Sequence, residues 1–157
     1  MTPKLIKTSS YKDLRGYFYE SYNEKKINLK KKFVPDNIAY SKFKGTVRGL
    51  HFQKKPFSQD KLIRVIKGSI QDVLVDIRPS SKFFGTYKTF ILNEKNKNQL
   101  FVPSGFAHGY CSLENDTIVH YKVSKYYNPN SEITIKWNDK DLNINWKISS
   151  PVLSKKD

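Results

Sequence analysis

With 157 residues, the chain is long enough for one folded core and too short for two independent ones. Its 29 Lys and Arg against 14 Asp and Glu give a formal charge of +15, which attracts anions but does not distinguish nucleic acid, an acidic membrane or a small phosphorylated ligand. Hydrophobic residues at 38% and aromatics at 14% exclude a disordered basic tail, because so much buriable surface can support a core.

Residues 1–10 carry Lys4 and Lys7 but no apolar stretch of the kind a secretory signal needs. No run anywhere approaches the roughly 20 apolar residues of a membrane span. A soluble, cytoplasmic protein is expected. Polar helix formers around Ile27 and Leu29 predict one short surface helix over about residues 21–32. The basic run Lys30-Lys31-Lys32 and the pair Lys155-Lys156 read as solvated surface.

After Phe33 the pattern is that of strands. Alanine occurs only at Ala39 and Ala107, while Ile, Val, Tyr, Phe and Thr abound. Apolar runs end at Gly45, Gly68, Gly85, Asn96 to Asn98 and Asn115-Asp116, a spacing expected of an antiparallel sandwich or barrel. A strand pair is predicted on either side of Lys67-Gly68, with residues 62–66 leading in and 70–78 leading out. In the second arm Val73, Val75 and Ile77 share one face, and Asp72, Leu74, Asp76 and Arg78 the other. Over residues 117–123 alternation groups Val119, Tyr121 and Val123, and turns Ile118, His120 and Lys122 away; Tyr121 is expected to point inward. The lone cysteine, Cys111, excludes a disulfide framework and a Cys-based zinc site and fits a reducing compartment.

The three histidines, His51, His108 and His120, lie in this strand-rich middle, where a lone histidine is first of all a structural residue. The turn Pro103-Ser104-Gly105-Phe106-Ala107-His108 resembles the second short motif of the cupin superfamily, in which a histidine projects into a jelly-roll barrel. In metal-binding cupins the first motif supplies two histidines one residue apart, followed by a Glu. Here the strand reads Arg48-Gly49-Leu50-His51-Phe52-Gln53, and two imidazoles without a third His or a carboxylate make a poor divalent-ion site. No metal is expected.

An inward histidine, a nearby lysine and an inward tyrosine in an aromatic-rich barrel suit proton transfer. A neutral imidazole accepts a proton, a phenol donates one, and an ammonium stabilises an oxyanion. Together they match abstraction of a proton α to a carbonyl and its return from the other face. This is epimerisation through an enolate, which calls for no metal or organic cofactor.

The sequence resembles the dTDP-4-dehydrorhamnose 3,5-epimerase family, cupin-fold enzymes of nucleotide-sugar metabolism. The likeness is carried in order by Asp13-Leu14-Arg15-Gly16-Tyr17-Phe18-Tyr19-Glu20-Ser21, Val47-Arg48-Gly49-Leu50-His51-Phe52-Gln53, Gln59-Asp60-Lys61-Leu62-Ile63-Arg64 and Asp72-Val73-Leu74-Val75-Asp76-Ile77-Arg78. It continues through Gln99-Leu100-Phe101-Val102-Pro103-Ser104-Gly105-Phe106-Ala107-His108-Gly109, Tyr121-Lys122, Tyr126-Tyr127-Asn128-Pro129 and Trp137-Asn138-Asp139.

The resemblance implies a mainly β, cupin-type jelly-roll barrel with one or a few short helices, a single domain over residues 1–157. It makes His51 the base at C3 and C5 of a 4-keto sugar, Asp157 the aspartate that holds it, Lys61 the group that stabilises the enolate oxygen, and Tyr121 the acid across the ring. Arg48 and Arg15 would bind the diphosphate, Arg15 from the partner subunit of a homodimer. Glu20, Asn37, Gln53, His108, Tyr127 and Glu132 complete the implied substrate-binding set, with Tyr126 or Tyr127 stacking on the base. His120 is left structural. Ideal alternation separates Arg48 from His51, and a bulge at Gly49 would reunite them. Pro35-Asp36-Asn37 replaces the family's Gln-Asp-Asn, so a glutamine expected near the nucleobase or sugar is absent.

The substrate so implied is a nucleotide-diphosphate 4-keto-6-deoxyhexose, with dTDP-4-dehydro-6-deoxy-D-glucose foremost. The alternatives are an epimerase acting at C3 or C5 alone, one acting on another nucleotide-linked 4-keto sugar or heptose, and, more remotely, a metal-dependent cupin. A nucleic-acid-binding module would be a different class; neither nucleic acid nor membrane is the expected partner.

Overall fold

The computed structural model describes residues 1–157. In chain order it contains β1 (Lys4–Ile6), β2 (Tyr11–Asp13), β3 (Gly16–Phe18), α1 (Glu24–Ile27), β4 (Asp36–Ser41), β5 (Val47–Gln53) and β6 (Lys61–Lys67). There follow β7 (Ser69–Asp76), β8 (Tyr87–Asn93), β9 (Gln99–Val102), β10 (Phe106–Ser112), β11 (Thr117–Val123) and β12 (Glu132–Thr134). The strands form two five-stranded sheets, β1-β9-β6-β11-β4 and β12-β5-β10-β7-β8, while β2 and β3 form a separate hairpin. Every strand pair is antiparallel. The architecture is the expected mainly β jelly roll, and no helix is long and apolar enough to cross a membrane.

Alternation along the strands divides the apolar residues among three clusters. Ile63, Val65, Leu100, Val102 and Val119 of the first sheet meet Ile70, Leu74, Leu92 and Tyr110 of the second in the space between the sheets. Val73 and Val75 turn to the outer face of the second sheet, where Trp146 and the segment around Trp137 and Ile144 cover them. All eight residues of β7 are therefore buried, and each Val, Leu or Ile removed from water contributes about 1.5–3 kcal/mol. A smaller cluster, Leu29, Leu62 and Phe101, closes the outer face of the first sheet.

Two expectations are corrected. The strands flanking Gly68 do not pair with each other: β6 lies in the first sheet and β7 in the second. Gly68, at φ +80°, carries the chain across, and a Cβ there would lie 2.5 Å from Thr117 Oγ1. The helix predicted over 21–32 shrinks to the single turn α1. Asn23 caps it by accepting the Lys26 N–H at 3.1 Å, and Asn28 ends it in the left-handed region at φ 46°. Leu29 then anchors the segment to the third cluster in non-helical form.

Candidate active site

A cavity of about 360 Å³ opens between the sheets. Strand β5 contributes Arg48 and His51, β6 Lys61, β10 His108 and Tyr110, and β11 Tyr121. The reach of both Arg48 and His51 into it depends on a bulge. His51 pairs with His108 and Arg48 with Tyr110, so Gly49 and Leu50 together oppose the single residue Gly109. Gly49 sits at φ +116°, and a Cβ on it would come 2.6 Å from Gly109 Cα and 2.7 Å from the His108 carbonyl oxygen. Only glycine fits there.

The chain's last residues form another wall. Val152 accepts the Val47 N–H at 2.9 Å and donates to Gly45 at 2.8 Å, which lays the tail beside β5. Asp157 then turns inward. Its Oδ1 accepts the Gly49 N–H at 3.0 Å and its Oδ2 accepts the Ser154 hydroxyl at 2.7 Å. Burial raises the Asp157 carboxyl, but those bonds outweigh it and hold the group below its ordinary value. His51 Nε2 lies 3.2 Å from Asp157 Oδ1. The imidazole nitrogen is not aligned for a hydrogen bond, so the contact is electrostatic. Burial lowers the His51 pKa against the pull of Asp157 and Glu132, which keeps the imidazole neutral and able to accept a proton.

Lys61 approaches from the opposite sheet. Burial pushes its ammonium down to about 8, although Asp72 and Glu132 pull it up. Burial likewise raises the Tyr121 phenol, with Arg48 opposing, so that Tyr121 holds its proton. His108 is fixed by Asp72, whose two carboxylate oxygens stand 2.9 and 3.0 Å from Nε2. The third histidine faces outward as alternation predicts: His120 accepts from Arg64 Nε at 3.0 Å and pairs with Asp36. Each histidine thus has its own carboxylate, and no three His, Cys, Asp or Glu side chains come together as a metal-ligand set.

At the cavity mouth Tyr127 donates to Glu132 Oε2 at 2.8 Å, and Lys156 pairs with the same carboxylate. Ser154 lines the cavity yet carried no sequence signal beyond its place in the tail, and Lys156, expected only as solvated surface, lines it too and pairs with Glu132 while staying partly exposed.

Several implied residues lie elsewhere. Gln53 is 7% exposed and staples a loop: Nε2 donates to the Phe57 carbonyl at 2.8 Å, and Oε1 accepts the Asn128 N–H at 2.6 Å. It borders a neighbouring cavity instead. Glu20 pairs with Lys26 at 2.7 Å in a groove near the N-terminus. Asn37 occupies an inward position of β4 but is not among the cavity-lining residues. Arg15, with its side chain 90% exposed, caps the β2–β3 hairpin and reaches only Asp13, at 2.6 Å.

An imidazole on the second sheet, with a phenol and an ammonium on adjacent strands of the first, faces one cavity, an arrangement able to move protons on and off a bound carbon acid. The family model described as dTDP-4-dehydrorhamnose 3,5-epimerase matches residues 3–157. The Shigella flexneri protein of that name is 44% identical over 149 residues, covering 92% of this chain and 82% of its own length. The Bacillus anthracis epimerase, a crystal structure with TDP and PPi bound, superposes with TM-score 0.96 at 48% identity, over 99% of this chain and 90% of that one. The Legionella pneumophila enzyme, in complex with dTDP-4-keto-L-rhamnose, gives TM-score 0.92 at 41% identity, over 99% and 84%. The chain belongs to the dTDP-4-dehydrorhamnose 3,5-epimerase family and is an epimerase of the cupin-like jelly-roll type.

Proposed function

We propose that this chain, a single domain over residues 1–157, inverts C3 and C5 of dTDP-4-dehydro-6-deoxy-D-glucose to give dTDP-4-dehydro-L-rhamnose. His51 takes the proton from the carbon α to the 4-ketone, and the C–H electron pair moves into an enolate whose oxygen is held by Lys61. Tyr121 returns a proton to the other face of the same carbon; imidazolium and phenolate then re-equilibrate with solvent, and the sequence repeats at the second carbon. Asp157 stabilises the imidazolium. Arg48 holds the diphosphate, a task suited to a guanidinium fork, and Tyr127 stacks on the base.

The observation that carries this reading is the placement of His51 and Tyr121 on opposing sheets around one cavity, with Lys61 in its wall. The ring between them would be deprotonated on one face and reprotonated on the other.

The site takes its second arginine from another copy of the chain. Arg15 does not reach the cavity of its own chain, and its hairpin bears exposed Tyr11, Leu14, Tyr17 and Phe18, an apolar tip suited to docking on a partner. A cytoplasmic homodimer follows, with Arg15 crossing the interface.

Incubation with the dTDP-linked 4-keto sugar in D₂O, followed by NMR, tests the assignment. Deuterium at both C3 and C5 is expected. Exchange at one carbon alone would make the chain a single-carbon epimerase, and exchange at neither would overturn the reading.

A further inference from the structure

Three tyrosines line the cavity, Tyr110, Tyr121 and Tyr127, and the reading above uses only the last two. Tyr110 follows His108 by two residues on β10, so both project inward. Its partner across the ladder is Arg48, and its ring packs in the cluster against which Tyr121 lies. Tyr110 is 5% exposed, and no protein atom stands in hydrogen-bond geometry to its hydroxyl oxygen. The Arg48 guanidinium and Ser41 hydroxyl are near enough to act on the phenol, yet burial dominates and pushes it up to about 12. The hydroxyl is therefore a neutral, undissociated donor throughout the range in which the protein works. A phenylalanine would fill the same space without leaving a buried polar atom unpaired, a cost that proteins rarely carry without a use.

We propose, resting on the epimerase reading above, that the Tyr110 hydroxyl is a further substrate-binding group, donating a hydrogen bond to an oxygen of the sugar ring beside Tyr121. It orients the ring and transfers no proton itself. The sugar is favoured over the diphosphate because Tyr110 shares its inner face of β10 with His108 and packs beside Tyr121, the proposed acid.

The test is Tyr110→Phe, which removes one oxygen and no volume. Calorimetric affinities for dTDP and for a dTDP-linked sugar lacking the 4-ketone are compared with the native chain, alongside kcat/KM on the 4-keto substrate and the melting temperature. Loss of one neutral hydrogen bond predicts about tenfold weaker binding of the sugar-bearing ligand, a similar fall in kcat/KM and unchanged dTDP binding. The melting temperature should be equal or higher, since an unpaired buried hydroxyl is lost.

Native affinity for the sugar-bearing ligand and native kcat/KM would overturn the proposal, because the hydroxyl would then be answered by water. An equal weakening for dTDP would also overturn it by moving the contact to the diphosphate, as would a clear fall in melting temperature, which would show the hydroxyl paired within the protein. If the native chain turned over no 4-keto sugar, the epimerase reading would fail, while the ligand-affinity comparison would still report on Tyr110.

Discussion

Arg48 and His51 face the same cavity although ideal alternation would place them on opposite sides of β5; the bulge at Gly49 and Leu50, opposite Gly109, brings them together. A proposed phosphate ligand and a proposed base are thus fixed relative to each other by a backbone irregularity. The same Gly49 N–H holds Asp157.

Gly49→Ala should break this arrangement. The new Cβ would press on Gly109 and His108 backbone atoms at 2.6 and 2.7 Å, from a φ of +116° that alanine adopts only under strain. Strain and overpacking of about 1–3 kcal/mol each predict a loss of about 2–6 kcal/mol. Thermal or denaturant melts would show it, and a melting temperature equal to the native value would contradict the role given to this bulge.

Much of the site was legible in the sequence because it depends on strand parity, which a short window records. Tyr121 could be placed inward and His120 outward from residues 117–123 alone, and the pairing of Arg48 with His51 required only a glycine between them. Pairing partners were not legible. Alternation tells which residues share a face but not which sheet a strand enters, so the crossing at Gly68 looked like a hairpin. The helix over 21–32 was overextended because its polar residues favour a helix anywhere, whereas Asn28, at φ 46°, and the anchoring of Leu29 decide where it stops. Gln53 sits in a matching motif, yet its amide is consumed by loop carbonyl and N–H groups that no linear pattern reveals. The Asp72 partner of His108 had one visible sign, a carboxylate inside a valine-rich strand, and that sign did not say which residue it would meet.

The pH dependence follows from His51 and Lys61. As the proposed base His51 must be neutral, and burial sets its pKa below the usual value, so kcat/KM should rise with pH through a limb below about 6.5. In its proposed role of stabilising the enolate oxygen Lys61 must be charged, so activity should fall as pH rises through about 8. Asp157→Asn removes the anion that favours the imidazolium; the acid limb should move to lower pH and kcat fall by at least about tenfold. A profile flat to pH 10 would contradict the role of Lys61, and an acid limb unmoved in Asp157→Asn would contradict that of Asp157.

If Arg15 completes the site of a partner copy, two damaged chains should repair each other. Arg15→Ala leaves folding untouched, because the side chain is exposed and meets only Asp13. Mixed and re-equilibrated with His51→Ala, it should recover up to about a quarter of native activity at low substrate, since half the dimers are hybrid and each has one intact site. Sedimentation should report a dimer. No recovery on mixing, or a monomer at micromolar concentration, would contradict the shared site.

The assignment of base and acid to opposite sheets is tested most directly by following deuterium and stereochemistry together in His51→Ala and Tyr121→Phe, with the dTDP-linked 4-keto sugar in D₂O. Without the base neither exchange nor inversion should occur. Without the phenol, protons should still leave C3 and C5 and be replaced by deuterium while net inversion fails. Wash-in at the native rate in His51→Ala, or equal losses of exchange and inversion in Tyr121→Phe, would contradict the account.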